Sequence, residues 1–268
     1  MTNNSYSDVL ERIACAIDEA QRVFARFTPG EIQAEYKAGH DPVTEADHAL
    51  DAVLRKNLLR KGEGWLSEES ADDLSRLDRQ RVWVVDPLDG TREFVEGIPE
   101  FCVSIAMVEE GRPVAGGICN PATREVFLGS IGFGLVYNRV PTYASQQRNL
   151  DGAVILASRS ETRRGEWRAF QSAPFKVVPM GSVAYKLARV SAGLADATFT
   201  FTPKHEWDVA AGAALVLSAG GSVRTLDDSD LICNRKDPLL SGLIACGAQL
   251  KPELMSFLSS YHQPVAEK

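Results

Sequence analysis

Over the first quarter of the chain the apolar positions follow a helical period. Val9, Ile13, Ala16, Ile17, Ala20, Val23 and Phe24 recur at that spacing, and Asp18, Glu19 and Arg22 fall elsewhere on the surface. This predicts an amphipathic helix that stops before Thr28-Pro29-Gly30. A polar stretch through Lys37, Gly39 and His40 follows. A second helix is expected from near Thr44, with Leu50, Val53, Leu54 and Leu58 on one face. Thr44 with Asp47 three positions later resembles a capping box in which Asp replaces the usual Glu or Gln.

Beyond an acidic patch over 68–73 the period changes. Short apolar segments at 81–85, 101–108, 114–119, 125–128 and 133–137 are joined by turn-like links and read as an antiparallel meander. The pattern loosens over 141–151, where a boundary is expected between an N-terminal α+β subdomain (1–145) and a C-terminal α/β subdomain (146–268). In the second half, strands at 154–157, 175–178, 197–201 and 243–246 alternate with helices at 163–171, 182–191, 207–218 and 253–259. Gly220-Gly221 supplies a helix C-cap signal. The fold class expected from this order is mixed α+β and α/β, with helices layered on sheets.

Composition narrows the function. At about 150 residues per domain, 268 residues make one large or two fused domains. With 44% apolar and 24% charged residues, long disorder, collagen and a disulfide miniprotein are excluded. Lysine plus arginine (29) minus the acids (36) gives a net charge of -7, which argues against a general nucleic-acid binder and draws attention to acidic clusters that hold cations. The five cysteines show no close spacing, so neither a disulfide framework nor a zinc knuckle is expected, and they read as buried small apolar residues. The first eight residues do not resemble a signal peptide, and no apolar run approaches the roughly 20 residues needed to cross a bilayer. A cytoplasmic location is the expectation.

The densest chemical signal is Asp86-Pro87-Leu88-Asp89-Gly90-Thr91, after the apolar strand 81–85. Two carboxylates at a strand end suit one or two hard cations, and Mg²⁺ takes oxygen ligands. Backbone N–H groups around Gly90 and Thr91 suit phosphate oxygens. An ordinary Asp-Gly turn explains the same residues equally well. Taken singly, Asp47 and Asp208 read as helix caps and Glu68-Glu69 as a solvated surface.

Four segments in order decide between these readings: Asp41-Pro42-Val43-Thr44-Glu45-Ala46-Asp47, Leu66-Ser67-Glu68-Glu69-Ser70, the motif at 86–91, and Glu206-Trp207-Asp208-Val209-Ala210-Ala211-Gly212 with Ala219-Gly220-Gly221. Together they resemble the lithium-sensitive, magnesium-dependent phosphatases that include inositol monophosphatases and 3'(2'),5'-bisphosphate nucleotidases. The resemblance implies a layered αβαβα sugar-phosphatase fold and hydrolysis of a small phosphorylated metabolite with two or three Mg²⁺ ions. It implies that Glu68, Asp86, the carbonyl of Leu88, Asp89 and Asp208 hold metal, and that Asp47, Glu68 and Thr91 are catalytic. Gly90 and Thr91 would cradle phosphate. Many relatives are dimers, so a homodimer is possible.

The flanking residues lean toward the nucleotidase branch. Arg92-Glu93-Phe94 is similar to its Lys-Glu-Phe, Ser67 precedes the glutamate pair, and Gly181-Ser182 is followed by Lys186. Arg92, Lys186 and Lys204, with Asp89, Gly90, Thr91 and Asp208, are the expected substrate-binding residues. Inositol monophosphate or a fructose bisphosphate is the alternative substrate. A non-catalytic scaffold and a calcium-binding module are the other readings. His40, His48, His205 and His262 have no ligand-like spacing and receive no role.

Overall fold

The computed structural model describes residues 6–36 and 42–261, so Lys37, Gly39, His40, Asp41 and His262 lie outside the described residues. The chain opens with α1 (Ser7–Phe24), a two-residue pair β1 (Glu35–Tyr36) and β2 (Pro42–Val43), and α2 (Glu45–Leu58). Then come β3 (Gly64–Ser67), β4 (Arg81–Asp89), α3 (Thr91–Glu96), β5 (Cys102–Glu109), β6 (Arg112–Asn120), β7 (Glu125–Ser130), β8 (Gly134–Tyr137) and β9 (Val140–Thr142). β3 to β9 form a seven-stranded sheet in sequence order. Strands β4 to β9 are antiparallel neighbours, as the meander predicts. β3 is a correction: it pairs parallel with β4, and its four residues are too short to show a period.

The second part contains β10 (Val154–Ser158), α4 (Arg159–Arg164), β11 (Lys176–Met180), α5 (Val183–Ser191), β12 (Ala197–Thr200), β13 (Lys204–His205), α6 (Glu206–Ser218), β14 (Gly221–Arg224), β15 (Leu239–Leu240), β16 (Leu243–Gly247) and α7 (Lys251–Ser259). Its five-stranded sheet has the order β11-β10-β12-β16-β14. β10 lies parallel to β11 and β12, whereas β16 runs antiparallel to β12 and β14. The helix expected over 163–171 is instead α4 and a separate 3-10 turn over Glu166–Phe170, with Gly165 between them.

Strand alternation explains the layers. Trp83, Val85, Ile105 and Met107 face α1 and α2, while Val82, Val84, Ala106 and Val108 face α5 and α6. On the second sheet Leu156, Val223 and Ala245 also face α5 and α6. Ile155, Ala157, Ile244 and Cys246 turn to the far side, toward Trp167, Phe170 and α7. The result is five layers, αβαβα, with α5 and α6 between the sheets. The cysteines are buried except Cys15, which is exposed and corrects the sequence expectation.

Candidate active site

β4 carries the motif further than expected. The strand continues through Asp86-Pro87-Leu88-Asp89 instead of ending at Val85. Its register with β5 shifts between Asp86 and Asp89. In a regular strand Asp86 and Asp89 would point to opposite faces. The irregularity turns Leu88 toward the α1–α2 face and Asp89 toward α5, so both carboxylates reach the same side. Gly90 follows with φ 96°, and a Cβ there would meet the carbonyl oxygen of Glu100 at 2.8 Å, which reserves this corner for glycine.

Helix α2 supplies the next groups. Thr44 caps it, its Oγ1 accepting from Ala46 N–H at 3.2 Å, and Asp47 Oδ2 accepts from Thr44 N–H at 2.7 Å. Asp47 therefore caps its helix as the local sequence implies, but its Oδ1 also accepts the hydroxyl of Thr91 at 3.1 Å. That hydroxyl lies 2.9 Å from the carbonyl oxygen of Leu88 as well. One turn further, Asp51 accepts the hydroxyls of Ser67 (2.6 Å) and Ser70 (2.7 Å), which fixes the chain on both sides of Glu68.

Asp208 stands in the first turn of α6, where its Oδ2 accepts from His205 N–H at 2.9 Å. One carboxylate oxygen from each of Glu68, Asp86 and Asp208 lies within 4.8 Å of the others. Asp89 adjoins this cluster, with Oδ2 accepting from Ser182 Oγ (2.7 Å) and Ala184 N–H (2.6 Å). Burial, then the neighbouring carboxylates, pushes Asp86 and Asp208 well above the usual carboxylate range. Burial also raises Asp89, against the lowering effect of its two donors and Lys186. It raises Asp47 too, against its Thr44 and Thr91 hydrogen bonds. Crowded carboxylates and a backbone carbonyl form a hard, oxygen-only donor set of the kind Mg²⁺ takes.

These groups open on a cleft of about 360 Å³. A larger groove of about 720 Å³ beside α1 has Asp18 as the only acid among its lining residues, so it is not the site of this chemistry. Arg92, Lys186 and Lys204 all line the cleft, as the sequence predicts, and so do Arg159 and Arg164, which it does not single out. Lys186 is 4% exposed and donates to the carbonyl of Ser182 at 2.7 Å, and burial lowers its pKa. Lys204 pairs with the buried Glu161 at 3.0 Å. Arg159 makes a bidentate pair with Glu100, a terminal nitrogen to Oε1 at 2.6 Å and Nε to Oε2 at 3.1 Å, and Glu100 Oε2 also accepts from Gly181 N–H at 2.7 Å. The ring of His205, given no role by spacing, stacks on Trp207 at the cleft, centroids 4.3 Å apart. Ser182, Asp51, Glu161 and Arg159 carry no local signal beyond the Gly-Ser pair before α5.

A sequence profile of the Inositol monophosphatase family matches residues 6–263. The chain belongs to the inositol monophosphatase family. It is 32% identical over 225 residues to an inositol-1-monophosphatase of Rhizobium meliloti (strain 1021), covering 81% of this chain and 82% of that protein. The extragenic suppressor protein suhB from Bartonella henselae superposes with a TM-score of 0.81 at 30% identity, over 94% of this chain and 98% of that one. CysQ from Bacteroides thetaiotaomicron, described as a bacterial member of the inositol monophosphatase family, gives 0.76 at 25% identity over 92% and 99%. Proteins of this family are metal-dependent phosphomonoesterases that use Mg²⁺, and the carboxylate cluster fits that ion. No helix among the described residues is long and apolar enough to cross a membrane.

Proposed function

We propose that this enzyme removes phosphate from a small phosphomonoester carrying a second phosphate, with 3'-phosphoadenosine 5'-phosphate as the type substrate. The observation behind this reading is the mixed lining of the cleft. Glu68, Asp86, Asp89 and Asp208 line it together with Arg92, Arg159, Arg164, Lys186 and Lys204. Arg159, Arg164 and Lys204 each pair with a carboxylate, Glu100, Glu166 and Glu161, and a second anionic group beside a metal-bound scissile phosphate would join these pairs at the cleft wall.

Glu68, Asp86, the carbonyl of Leu88, Asp89 and Asp208 are the proposed Mg²⁺ ligands. A Mg²⁺ ion held by these residues would supply charge neutralisation for the phosphate dianion, a lowered pKa for water and stabilisation of the leaving oxygen. Thr91 and Glu68 orient the attacking water. The Thr91 hydroxyl directs its proton to Asp47 or Leu88, so its lone pairs accept from that water, and Glu68 takes the proton. Gly90 and Thr91 bring backbone close to the phosphate. The water oxygen forms its bond to phosphorus as the ester P–O bond breaks in line, and the leaving alkoxide takes its proton from a solvent water. The Asp-x-x-Asp spacing offers no Asp-x-Asp nucleophile, so the reading is direct attack by water without a phosphoenzyme.

Phosphate release from adenosine 3',5'-bisphosphate and from inositol-1-phosphate, each with Mg²⁺, with EDTA and with Li⁺, tests the reading. Preference for the nucleotide, abolished by EDTA and inhibited by Li⁺, is expected. The second reading, inositol-1-phosphate, is supported by the name of the Rhizobium meliloti relative. Preference for inositol phosphate would replace the first reading and leave the metal site intact. Release from neither by folded protein would overturn both.

A further inference from the structure

Glu206 is the acid next to Trp207, yet its carboxylate does not line the cleft. It is fully buried (0% exposed) and turns the other way. Its two oxygens accept the backbone N–H groups of Asn234 (2.6 Å) and Arg235 (2.9 Å). Its own N–H donates to the carbonyl of Pro238 at 2.9 Å. Just beyond, β13 pairs with β15, so the segment 234–240 is tied along the start of α6.

The same segment holds Arg76, which is 1% exposed. The Arg76 guanidinium donates to Asn234 Oδ1 (2.7 Å) and to the carbonyl of Arg235 (2.9 Å). It also donates to Asp72 Oδ2 through Nε at 3.1 Å and through a terminal nitrogen at 2.9 Å. Asn234 returns a hydrogen bond from Nδ2 to the Arg76 carbonyl at 3.3 Å. Asp72 lies four residues after Glu68, and Glu206 lies two before Asp208. An unbroken polar chain thus runs from the Glu68 loop to the helix that carries Asp208.

This geometry has an electrostatic purpose. Glu68 and Asp208 come from elements that share no strand pairing, and their carboxylates repel when no cation lies between them. α6 lies close on the first sheet at Gly116 and Ala211, and the directional hydrogen bonds of the buried Arg76 guanidinium tie the Glu68 loop to the segment that borders the N-terminus of this helix. We propose that Arg76, Asn234 and Glu206 form a clamp that fixes the separation of Glu68 and Asp208 and thereby sets the affinity for Mg²⁺. All three are positioning residues. The proposal rests on the reading that Glu68 and Asp208 hold the metal.

Asn234→Gly is the decisive variant. Asn234 has φ 60°, which glycine adopts readily, and the change removes the side chain without altering charge. Calorimetric titration of the whole protein with Mg²⁺, without substrate, should show affinity about tenfold weaker, the scale typical of lost outer-sphere support. At saturating Mg²⁺, kcat should match the unsubstituted protein. Glu206→Gln should act in the same direction, and the double variant should be less than additive because both weaken one network, in which Arg76 also reaches Glu206 through Arg235. Unchanged Mg²⁺ affinity in folded Asn234→Gly, even with a lower Tm, would overturn the clamp. If Asn234→Gly does not fold, Glu206→Gln decides by the same titration. Asp208→Asn separates the two levels. If it leaves Mg²⁺ binding intact, the ligand assignment fails, whatever the clamp variants do.

Discussion

Ser182 donates its hydroxyl to Oδ2 of Asp89 at 2.7 Å from a backbone held at φ 54°, a region L residues seldom occupy. With the Ala184 N–H also on Oδ2, the other oxygen of Asp89 is left for a cation. Asp89→Asn keeps size and shape but substitutes a poor Mg²⁺ ligand. It is expected to fold and to lose activity by about 100-fold or more. Steady-state phosphate release with circular dichroism checks this, and full activity in the folded variant would remove Asp89 from the site.

Thr91 tests the water-orienting role. Thr91→Ala deletes the hydroxyl between Asp47 and Leu88. The expected loss is in kcat, on the order of 10²-fold, with KM little changed. Thr91→Ser should restore most of the rate. Equal losses in Ala and Ser variants would speak against the hydroxyl.

Lys204 has one observed duty, its ion pair, and one proposed duty toward substrate, and they separate by measurement. Its pair with Glu161 is nearly buried, with side-chain exposures of 15% and 2%. Lys204→Met leaves that carboxylate uncompensated and should cost about 3 kcal/mol, seen as a lower Tm. Adding Glu161→Gln should recover part of the loss. If Lys204 also meets a second phosphate, KM should rise for the bisphosphate and not for inositol-1-phosphate. A KM unchanged on both would leave Lys204 a structural role alone.

The raised carboxylates fix the sign of a pH effect. Asp86, Asp208, Asp89 and Asp47 all have folded pKa values above their ordinary ones, chiefly through burial. Between the ordinary and the raised value the folded chain holds more protons than the unfolded chain. Stability therefore falls as pH rises through that window, and the cost is fully present above it. Without Mg²⁺, Tm should fall as pH rises above the ordinary carboxylate value, and the rise in Tm on adding Mg²⁺ should grow with pH over the same window. Glu161 opposes this trend, because Lys204 and its hydrogen bonds hold it low, so its contribution is lost only as pH falls below the ordinary carboxylate value. A Mg²⁺ response independent of pH would contradict the crowding of the carboxylates.

How far sequence reading reached depends on whether a cause is local. The period of α1 and α2 and the Thr44–Asp47 cap depend on near neighbours, and the structure keeps them. Asp47, Glu68, Asp86, Thr91 and Asp208, singled out through motif segments far apart in the chain, also come together at the site. What local pattern does not show is set by distant partners. The register shift that turns Asp89 to the face of Asp86 depends on β5, and Pro87 makes the segment read as a loop. Arg159 reaches the cleft because β10 ends beside Glu100, far away in sequence. Glu206, contiguous with Trp207-Asp208 in the motif, turns from the cleft because it binds the distant 234–238 segment.

The position of α5 and α6 between the two sheets has a consequence for how the molecule comes apart. Gly116 on β6 lies so close to α6 that a Cβ would meet the Ala211 carbonyl oxygen at 2.6 Å, and the other side of this helix pair covers Leu156 and Ala245 of the second sheet. Neither sheet can shed these helices without opening the other's interior to water. Heating should therefore melt both parts in one cooperative step, with the cleft lost at the same temperature as the sheets.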